Sequence, residues 1–86
     1  MIKVTELITR RHGMSVEDFQ DHWWNVHGPL VSTIPGLRRY VQSPTRPGGY
    51  RAGEPAFDGI AEVWFDDKES LAAMMSSPEV ATVKAD

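Results

Sequence analysis

The chain contains no cysteine among its 86 residues. This absence excludes disulfide bonds, cysteine-based zinc sites and a thiol nucleophile. A chain of this length forms at most one domain, and folding hides only about 60–65% of the surface that the unfolded chain exposes. Because so small a core gives marginal stability, association with a second copy is a natural remedy. We expect one domain over residues 1–86 that forms a homodimer.

Long apolar runs and a surplus of positive charge are also missing. The net charge is −3, and the apolar share of 41% is ordinary for a globular domain. Without a basic bias, nucleic acid is not an expected partner. No apolar run approaches the roughly 20 residues of a membrane span, and Lys3 and Glu6 interrupt the first one, unlike in a signal peptide. We therefore expect a soluble, cytoplasmic protein with no membrane partner.

Three segments have the alternating pattern of β-strands: residues 2–9, 37–42 and 57–65. The pattern places Tyr40 and Gln42 on one face of the second strand. In the third strand, one face is small and apolar and carries Gly59, Ala61, Val63 and Phe65. Residues 43–55 between these strands are rich in proline and glycine, and so long a loop is a candidate lid.

The sequence also predicts two helical regions. Ser15 followed by Asp18 is typical of a helix start, and apolar residues then recur at spacings of three and four up to His27. We expect Gly28 to end this helix as its C′ residue, because Pro29 cannot continue the ladder. Asp66 and Glu69 indicate the start of the second helix, and the segment Ser77-Pro78-Glu79 indicates a fresh start within it.

The resulting order, β-α-β-β-α, lacks the last strand of the split β-α-β-β-α-β arrangement. Only Lys84, Ala85 and Asp86 follow the second helical region. We therefore expect one edge of the sheet to be uncovered, which favours edge pairing with a neighbour.

Several motifs of the chain resemble the EthD family. They are Gly13-Met14-Ser15-Val16-Glu17-Asp18-Phe19, then Trp23, His27-Gly28-Pro29-Leu30, Pro35-Gly36-Leu37-Arg38-Arg39-Tyr40 and Phe57-Asp58-Gly59-Ile60-Ala61-Glu62-Val63-Trp64-Phe65. The resemblance implies a ferredoxin-like α+β subunit with an antiparallel sheet, which pairs with its twin in a dimeric α+β barrel and leaves a cleft between sheet and helices. Relatives act on small aromatic or lactone compounds. Because they catalyse different reactions, the resemblance indicates the fold more directly than the reaction.

His27 and Tyr40 are the predicted catalytic residues. An imidazole titrates near neutral pH, and His27 stands at the end of the apolar stripe beside a Gly-Pro break. Isomerase-like relatives carry a histidine and a tyrosine at the same separation, which implies that Tyr40 orients a carbonyl or carboxylate while His27 moves a proton. The alternatives are structural: His27 would interact with the last helical carbonyls, and Tyr40 would be a packing residue.

Four further residues are predicted to bind the substrate: Trp23, Ala61, Val63 and Phe65. The small apolar face of the third strand would hold a planar aromatic ligand, with Trp23 as a wall of the pocket. Ordinary packing of helix on sheet is the alternative for each of them. Trp24 is expected to point elsewhere, and Trp64 is expected to face the partner subunit.

No metal ion and no organic cofactor are expected. His22 and His27 are five residues apart, a spacing that places them on different faces of an α-helix. Glu6 and Glu62 lie on strands that are neighbours in this fold, and we favour ion pairs with Arg38 or Arg39 over a paired-carboxylate site.

The favoured hypothesis is an enzyme that performs proton-transfer chemistry on a small aromatic, lactone or polyketide-like molecule. The reaction would be a dehydration, decarboxylation, isomerisation or cofactor-free oxygenation, which leaves open a lyase, an isomerase and an oxidoreductase. The alternative is a non-catalytic protein that binds a hydrophobic metabolite or assists an oxygenase. A third possibility is a small dimeric barrel whose assembly is itself the function.

Overall fold

The computed structural model describes all residues, Met1–Asp86, and its base is a three-stranded antiparallel sheet. The strands are β1 (Ile2–Ile8), β2 (Arg39–Pro44) and β3 (Gly59–Phe65), in the order β1-β3-β2. The predicted α+β class is confirmed, with the arrangement of a ferredoxin-like subunit. β1 and β2 each keep one unpaired edge, as expected for a sheet with three strands.

The strand register decides which side chains face the helices. Ala61 in the central strand is opposite Glu6 on one side and Gln42 on the other. Because directly opposite residues share a face, these three side chains point to the same side of the sheet. That side also carries Ile8, Tyr40, Gly59, Val63 and Phe65, whereas the outer side carries Lys3, Leu7, Arg39, Val41, Ile60, Glu62 and Trp64.

Helix α1 (Val16–His22) begins as the sequence predicts. The Ser15 hydroxyl accepts a hydrogen bond from the backbone N–H of Asp18 at 3.0 Å, which satisfies one of the donors left open at a helix start. Phe19 is buried and stacks on Trp23, with 5.3 Å between ring centroids and 25° between planes. The aromatic pair anchors this helix to the sheet.

The first helical region does not end at Gly28, contrary to the sequence-based expectation. It continues through a π-helical turn (Trp23–His27) into α2 (Gly28–Val31), and Gly28 has helical angles with φ −54°. Its N–H bonds to the carbonyl of Trp23, five residues back. Pro29 has no N–H and would clash in a regular α-helical interior, so the wider turn before it lets the chain stay helical.

Helices α3 (Lys68–Met75) and α4 (Pro78–Ala85) complete the chain. The start of α3 lies one residue later than predicted: the side chain of Asp67, not Asp66, accepts from the N–H of Ser70 at 2.8 Å. Asp66 is engaged elsewhere, because its carboxylate binds the guanidinium of Arg38 at 2.8 Å. The predicted fresh start at Ser77 is confirmed by its bond from the N–H of Val80.

The core consists of two buried clusters under the helices. The larger one contains Val31, Ile34, Phe65, Met74 and Val80, and the smaller one contains Phe19, Trp23 and Ala61. Tyr40 packs against both clusters, so this tyrosine joins the two halves of the core. No helix has the length and apolar character that crossing a membrane requires.

Side-chain hydrogen bonds hold the connection between β2 and β3 against the rest of the domain. This connection contains a 3-10 turn (Pro47–Tyr50), and the hydroxyl of Thr45 donates to the carbonyl of Phe57 at 2.8 Å. At the end of this turn the hydroxyl of Tyr50 donates to Asp58 at 2.8 Å. These bonds hold the beginning and the middle of the loop close to the start of β3.

Candidate functional site

A cavity of about 600 Å³ lies between the sheet and the helices and is lined mainly by apolar side chains. All six predicted site residues line it: Trp23, His27, Tyr40, Ala61, Val63 and Phe65. The volume is in the range of small-molecule pockets, which typically combine apolar walls with a few polar groups. Residues 43–55 contribute nothing to the lining, so the structure gives no support to a lid formed by that loop.

The wall formed by Trp23 depends on the glycine that begins β3. Trp23 is only 5% exposed, and a Cβ built on Gly59 would lie 2.6 Å from ring atoms Cη2 and Cζ3. Only a residue without a side chain lets the indole lie this close to the strand. Ala61 is the next residue of β3 that points to the same side. Its small side chain packs with Phe19 and Trp23.

Tyr40 lines the cavity as a neutral phenol. Burial raises the pKa of this phenol above its ordinary value; the hydrogen bond from Gln42 opposes the rise in part, and the negative charge of Glu6 adds a smaller increase. The Nε2 amide of Gln42 donates to the Tyr40 oxygen at 2.7 Å and to the carbonyl of Trp23 at 2.9 Å. With its oxygen acting as acceptor, the hydroxyl keeps its own proton for a ligand.

His27 is held by a carboxylate that lies far away in the sequence. Its Nδ1 lies 2.9 Å from Oδ2 of Asp86, and Nε2 of His22 lies 2.9 Å from the same oxygen. The hydrogen bonds of His27 and, after it, His22 hold the pKa of Asp86 below its ordinary value. Asp86 is therefore an acceptor for two imidazoles, and all three side chains line the cavity.

The π-helical turn explains why His22 and His27 meet. Our expectation that a spacing of five separates them holds for an α-helix, but it is wrong here because a π turn repeats over more residues. The wider turn brings both rings to one side, where they share Asp86. No group of three or more histidine, aspartate or glutamate side chains has the arrangement of a metal site.

The two glutamates that were considered as a pair lie on opposite faces of the sheet. Glu6 lines the cavity, whereas Glu62 faces outward and binds the ammonium group of Lys3 at 3.2 Å. Arg38 binds Asp66 and Arg39 lies over the ring of Trp64, so the favoured ion pairs of these glutamates with Arg38 or Arg39 are not formed. Of these two glutamates, Glu6 is the one whose charge acts on Tyr40.

Arg10 lines the cavity and binds the buried carboxylate of Asp58. Asp58 is 3% exposed and accepts bonds from the backbone N–H of Arg10 at 2.8 Å, from its guanidinium and from the hydroxyl of Tyr50. Burial alone would raise the pKa of Asp58, but these bonds outweigh burial and lower the pKa. Arg10 also binds Glu54 at 2.7 Å, which connects the loop to the segment that follows β1.

Sequence reasoning missed the polar residues that support the predicted pair. Gln42 was placed on the correct face without a role, although a polar residue two positions from Tyr40 on the same face was a usable signal. Asp86 had no local signal, because it lies 59 positions from His27. His22 was set aside because its spacing was judged for an α-helix.

Comparison with known proteins places these residues in a family. The EthD domain matches residues 11–86. The chain belongs to the EthD family. This EthD domain is 27% identical to an uncharacterised 11.0 kDa protein in the thcB-thcC intergenic region of Rhodococcus erythropolis, over all of this chain and 80% of that protein. It is also similar to the crystal structure of an EthD family protein from Bacillus halodurans, with 32% identity, a TM-score of 0.76 and coverage of 96% of this chain and 79% of the other.

Proposed function

We propose that this EthD domain binds a small hydrophobic molecule of the aromatic, lactone or polyketide-like class in the cavity and catalyses proton transfer on it. The observation that carries the proposal is the position of His27 and Tyr40 in the lining of one apolar cavity of about 600 Å³. A carbon acid next to a carbonyl suits such a site, because one group takes the proton while another stabilises the oxygen.

The two polar groups have different roles in this proposal. Tyr40 stays a neutral phenol, and its hydroxyl donates a hydrogen bond to the carbonyl or carboxylate oxygen of the ligand. His27 removes a proton from the adjacent carbon and returns it at the position that the reaction requires. The stacked pair of Phe19 and Trp23 supplies a flat apolar wall for a planar ring.

The reaction would be a dehydration, decarboxylation, isomerisation or cofactor-free oxygenation. Wild-type protein is incubated with anthrones, aromatic β-keto acids and lactones, with and without oxygen, and products are followed by mass spectrometry. His27→Gln should lower turnover by about 10²- to 10⁴-fold, because it removes the acid/base group. His12→Gln is the matched control, since His12 is exposed and does not line the cavity.

The result also separates catalysis from binding. Turnover that falls in His27→Gln and persists in His12→Gln supports the enzyme. Tight binding of a compound by the wild type, without turnover of any member of the panel, contradicts the catalytic proposal and favours the metabolite-binding or accessory role. The cytoplasmic location expected from the sequence stays a prediction.

We also propose that the domain forms a homodimer through the outer side of its sheet. This side carries Leu7, which is 64% exposed, and the partly exposed side chains of Val41, Ile60 and Trp64. Trp64 lies between the cationic groups of Lys3 and Arg39, 5.7 Å and 4.8 Å from its ring. A second copy of the sheet is the proposed occupant, because it would cover this apolar strip with an equivalent one.

A further inference from the structure

The carboxylate of Asp86 is hydrogen-bonded to two histidines, and its protonation state determines which of their ring nitrogens carry a hydrogen. An ionised carboxylate has acceptors and no donor, and the lowered pKa of Asp86 keeps it ionised at neutral pH. The ring nitrogens that face it, Nδ1 of His27 and Nε2 of His22, must therefore each carry a hydrogen. A neutral imidazole has one N–H, so the second nitrogen of each ring is then an acceptor.

We propose that Asp86 is a positioning residue, which holds His27 in the Nδ1–H tautomer so that Nε2 is the basic nitrogen available to the cavity. This inference rests on the proposed function, in which His27 moves the proton. In that reaction Nε2 of His27 would receive the proton, and Asp86 would select this nitrogen. The same logic appears wherever a carboxylate orients an imidazole through one nitrogen and leaves the other free for chemistry.

The surroundings of the three side chains fit such a role. Asp86 is 16% exposed and His27 is 26% exposed, so the pair is shielded but open to a ligand in the cavity. His22 is 44% exposed and binds the same oxygen, so it provides a second contact that holds the carboxylate in place. The guanidinium of Arg11 donates to the backbone carbonyl of Asp86 at 3.0 Å and fixes the position of its main chain.

The π-helical turn is the part of the fold that makes the arrangement possible. His22 precedes the turn and His27 ends it. In a regular α-helix residues five apart would point about 140° from each other, since each residue adds about 100°. Single π turns of this kind are frequent at functional sites.

The test is the tautomer of His27, read by long-range ¹H–¹⁵N NMR correlations on ¹⁵N-labelled full-length protein above the range in which imidazoles titrate. In the wild type, His27 should give the pattern of Nδ1–H and His22 the pattern of Nε2–H. In Asp86→Ala, the Nδ1–H pattern of His27 should be lost. Glu79→Gln is the matched control, because Glu79 is an acid of α4, the helix that Asp86 follows, and has no hydrogen bond to either ring.

A second variant keeps the test decisive if Asp86→Ala does not fold. Asp86→Asn preserves shape but removes the charge and offers a donor as well as an acceptor, so the Nδ1–H tautomer of His27 should lose its dominance. A wild-type His27 in the Nε2–H tautomer would overturn the inference, as would an unchanged pattern in the folded Asp86 variants.

This readout is independent of whether the proposed reaction takes place. If turnover is found, Asp86→Asn should lower kcat by at least about tenfold with little change in KM, because binding is preserved while the base is misoriented. If no turnover is found but His27 has the Nδ1–H tautomer, the proposed function fails and the assignment of Asp86 holds. If turnover is found and the tautomer is wrong, the reverse is true.

Discussion

The indole of Trp23 lies against the backbone of Gly59 so closely that a single added carbon would meet its ring at 2.6 Å. The contact joins the helical side of the cavity to the first residue of β3. The wall of the cavity therefore depends on the missing side chain of Gly59 as well as on the indole of Trp23. The contact also leads to a direct test of the packing.

We expect Gly59→Ala to destabilise the protein by about 1–3 kcal/mol, because the added methyl meets a rigid, buried ring rather than a flexible chain end. The displaced indole should also reduce the affinity for planar ligands. Urea unfolding and calorimetric titration measure the two effects. Gly48→Ala is the control, since nothing lies within 4 Å of its added carbon. Equal stability of the two variants would contradict the packing described here.

Tyr40→Phe should weaken binding of carbonyl-bearing ligands by about three- to tenfold, the value of one hydrogen bond. Ligands of the same shape without the oxygen should bind equally well to both proteins. In the wild type, titration followed by ultraviolet absorbance should show a pKa for Tyr40 above the ordinary value, because burial disfavours the phenolate. Tyr50→Phe provides the spectroscopic comparison. A uniform loss for all ligands would indicate a packing defect instead.

The two histidines should contribute unequally to the pKa of Asp86. Removal of His27 should raise this pKa more than removal of His22, because the bond from His27 has the larger effect. Carboxyl ¹³C titration in His27→Ala and His22→Ala gives the order directly. Since the folded pKa is below the unfolded one, the stabilising contribution is present above about pH 3.9 and is lost as the pH falls through the folded pKa. The opposite order would assign the stronger contact to His22.

Asp58→Ala should destabilise the protein clearly, because it removes the buried carboxylate that binds Arg10 and leaves this guanidinium only the exposed Glu54. Asp66→Ala breaks an exposed pair with Arg38 and should change the stability much less, because water and salt screen the pair. Urea unfolding measures both. A comparable cost for the two pairs would show that burial of Asp58 does not matter.

The direction of the pKa shift of Asp58 determines how the stabilising effect of the Arg10–Asp58 pair depends on pH. Because the pKa of Asp58 is lowered by folding, its contribution is present above about pH 3.9 and disappears as the pH falls through the folded value. The stability difference between wild type and Asp58→Asn should therefore shrink in acid. A difference that stays constant from neutral pH to strong acid would rule out this linkage.

Leu7→Glu should shift a dimer toward the monomer, since it places a charge in the apolar strip on the outer side of the sheet. Val26→Glu is the control, because Val26 is also exposed, at 43%, but lies on the helical side of the molecule. Sedimentation equilibrium measures both variants against the wild type. A monomeric wild type, or equal association of the two variants, would exclude this surface as the interface.

Local patterns predicted most of the fold. Alternation placed Tyr40, Gln42 and Ala61 on the inner face, and Ser15 was recognised as a cap because capping depends on neighbours in the sequence. The start of α3 was missed by one residue because Asp66 and Asp67 are both able to cap, and only the distant Arg38 decides between them.

The site was predictable only where its chemistry is local. His27 and Tyr40 could be proposed from residue type and from a family resemblance, but their partners could not all be found. Asp86 is brought to His27 by the packing of α4 on the first helical region, which periodicity does not encode. Gly28 was misjudged because glycine before proline is typical of a helix end, whereas here a local widening keeps the helix going.

That widening amounts to one surplus residue in the helical ladder, equivalent to an insertion. Asn25 is exposed, and its amide bonds only to Asp21 within the same helix. Its deletion would restore an uninterrupted α-helical repeat, in which His22 and His27 would stand four residues apart and about 40° from each other, and so would still share one side of the helix. The wider turn therefore lets the chain carry this extra exposed residue without turning either imidazole away from Asp86.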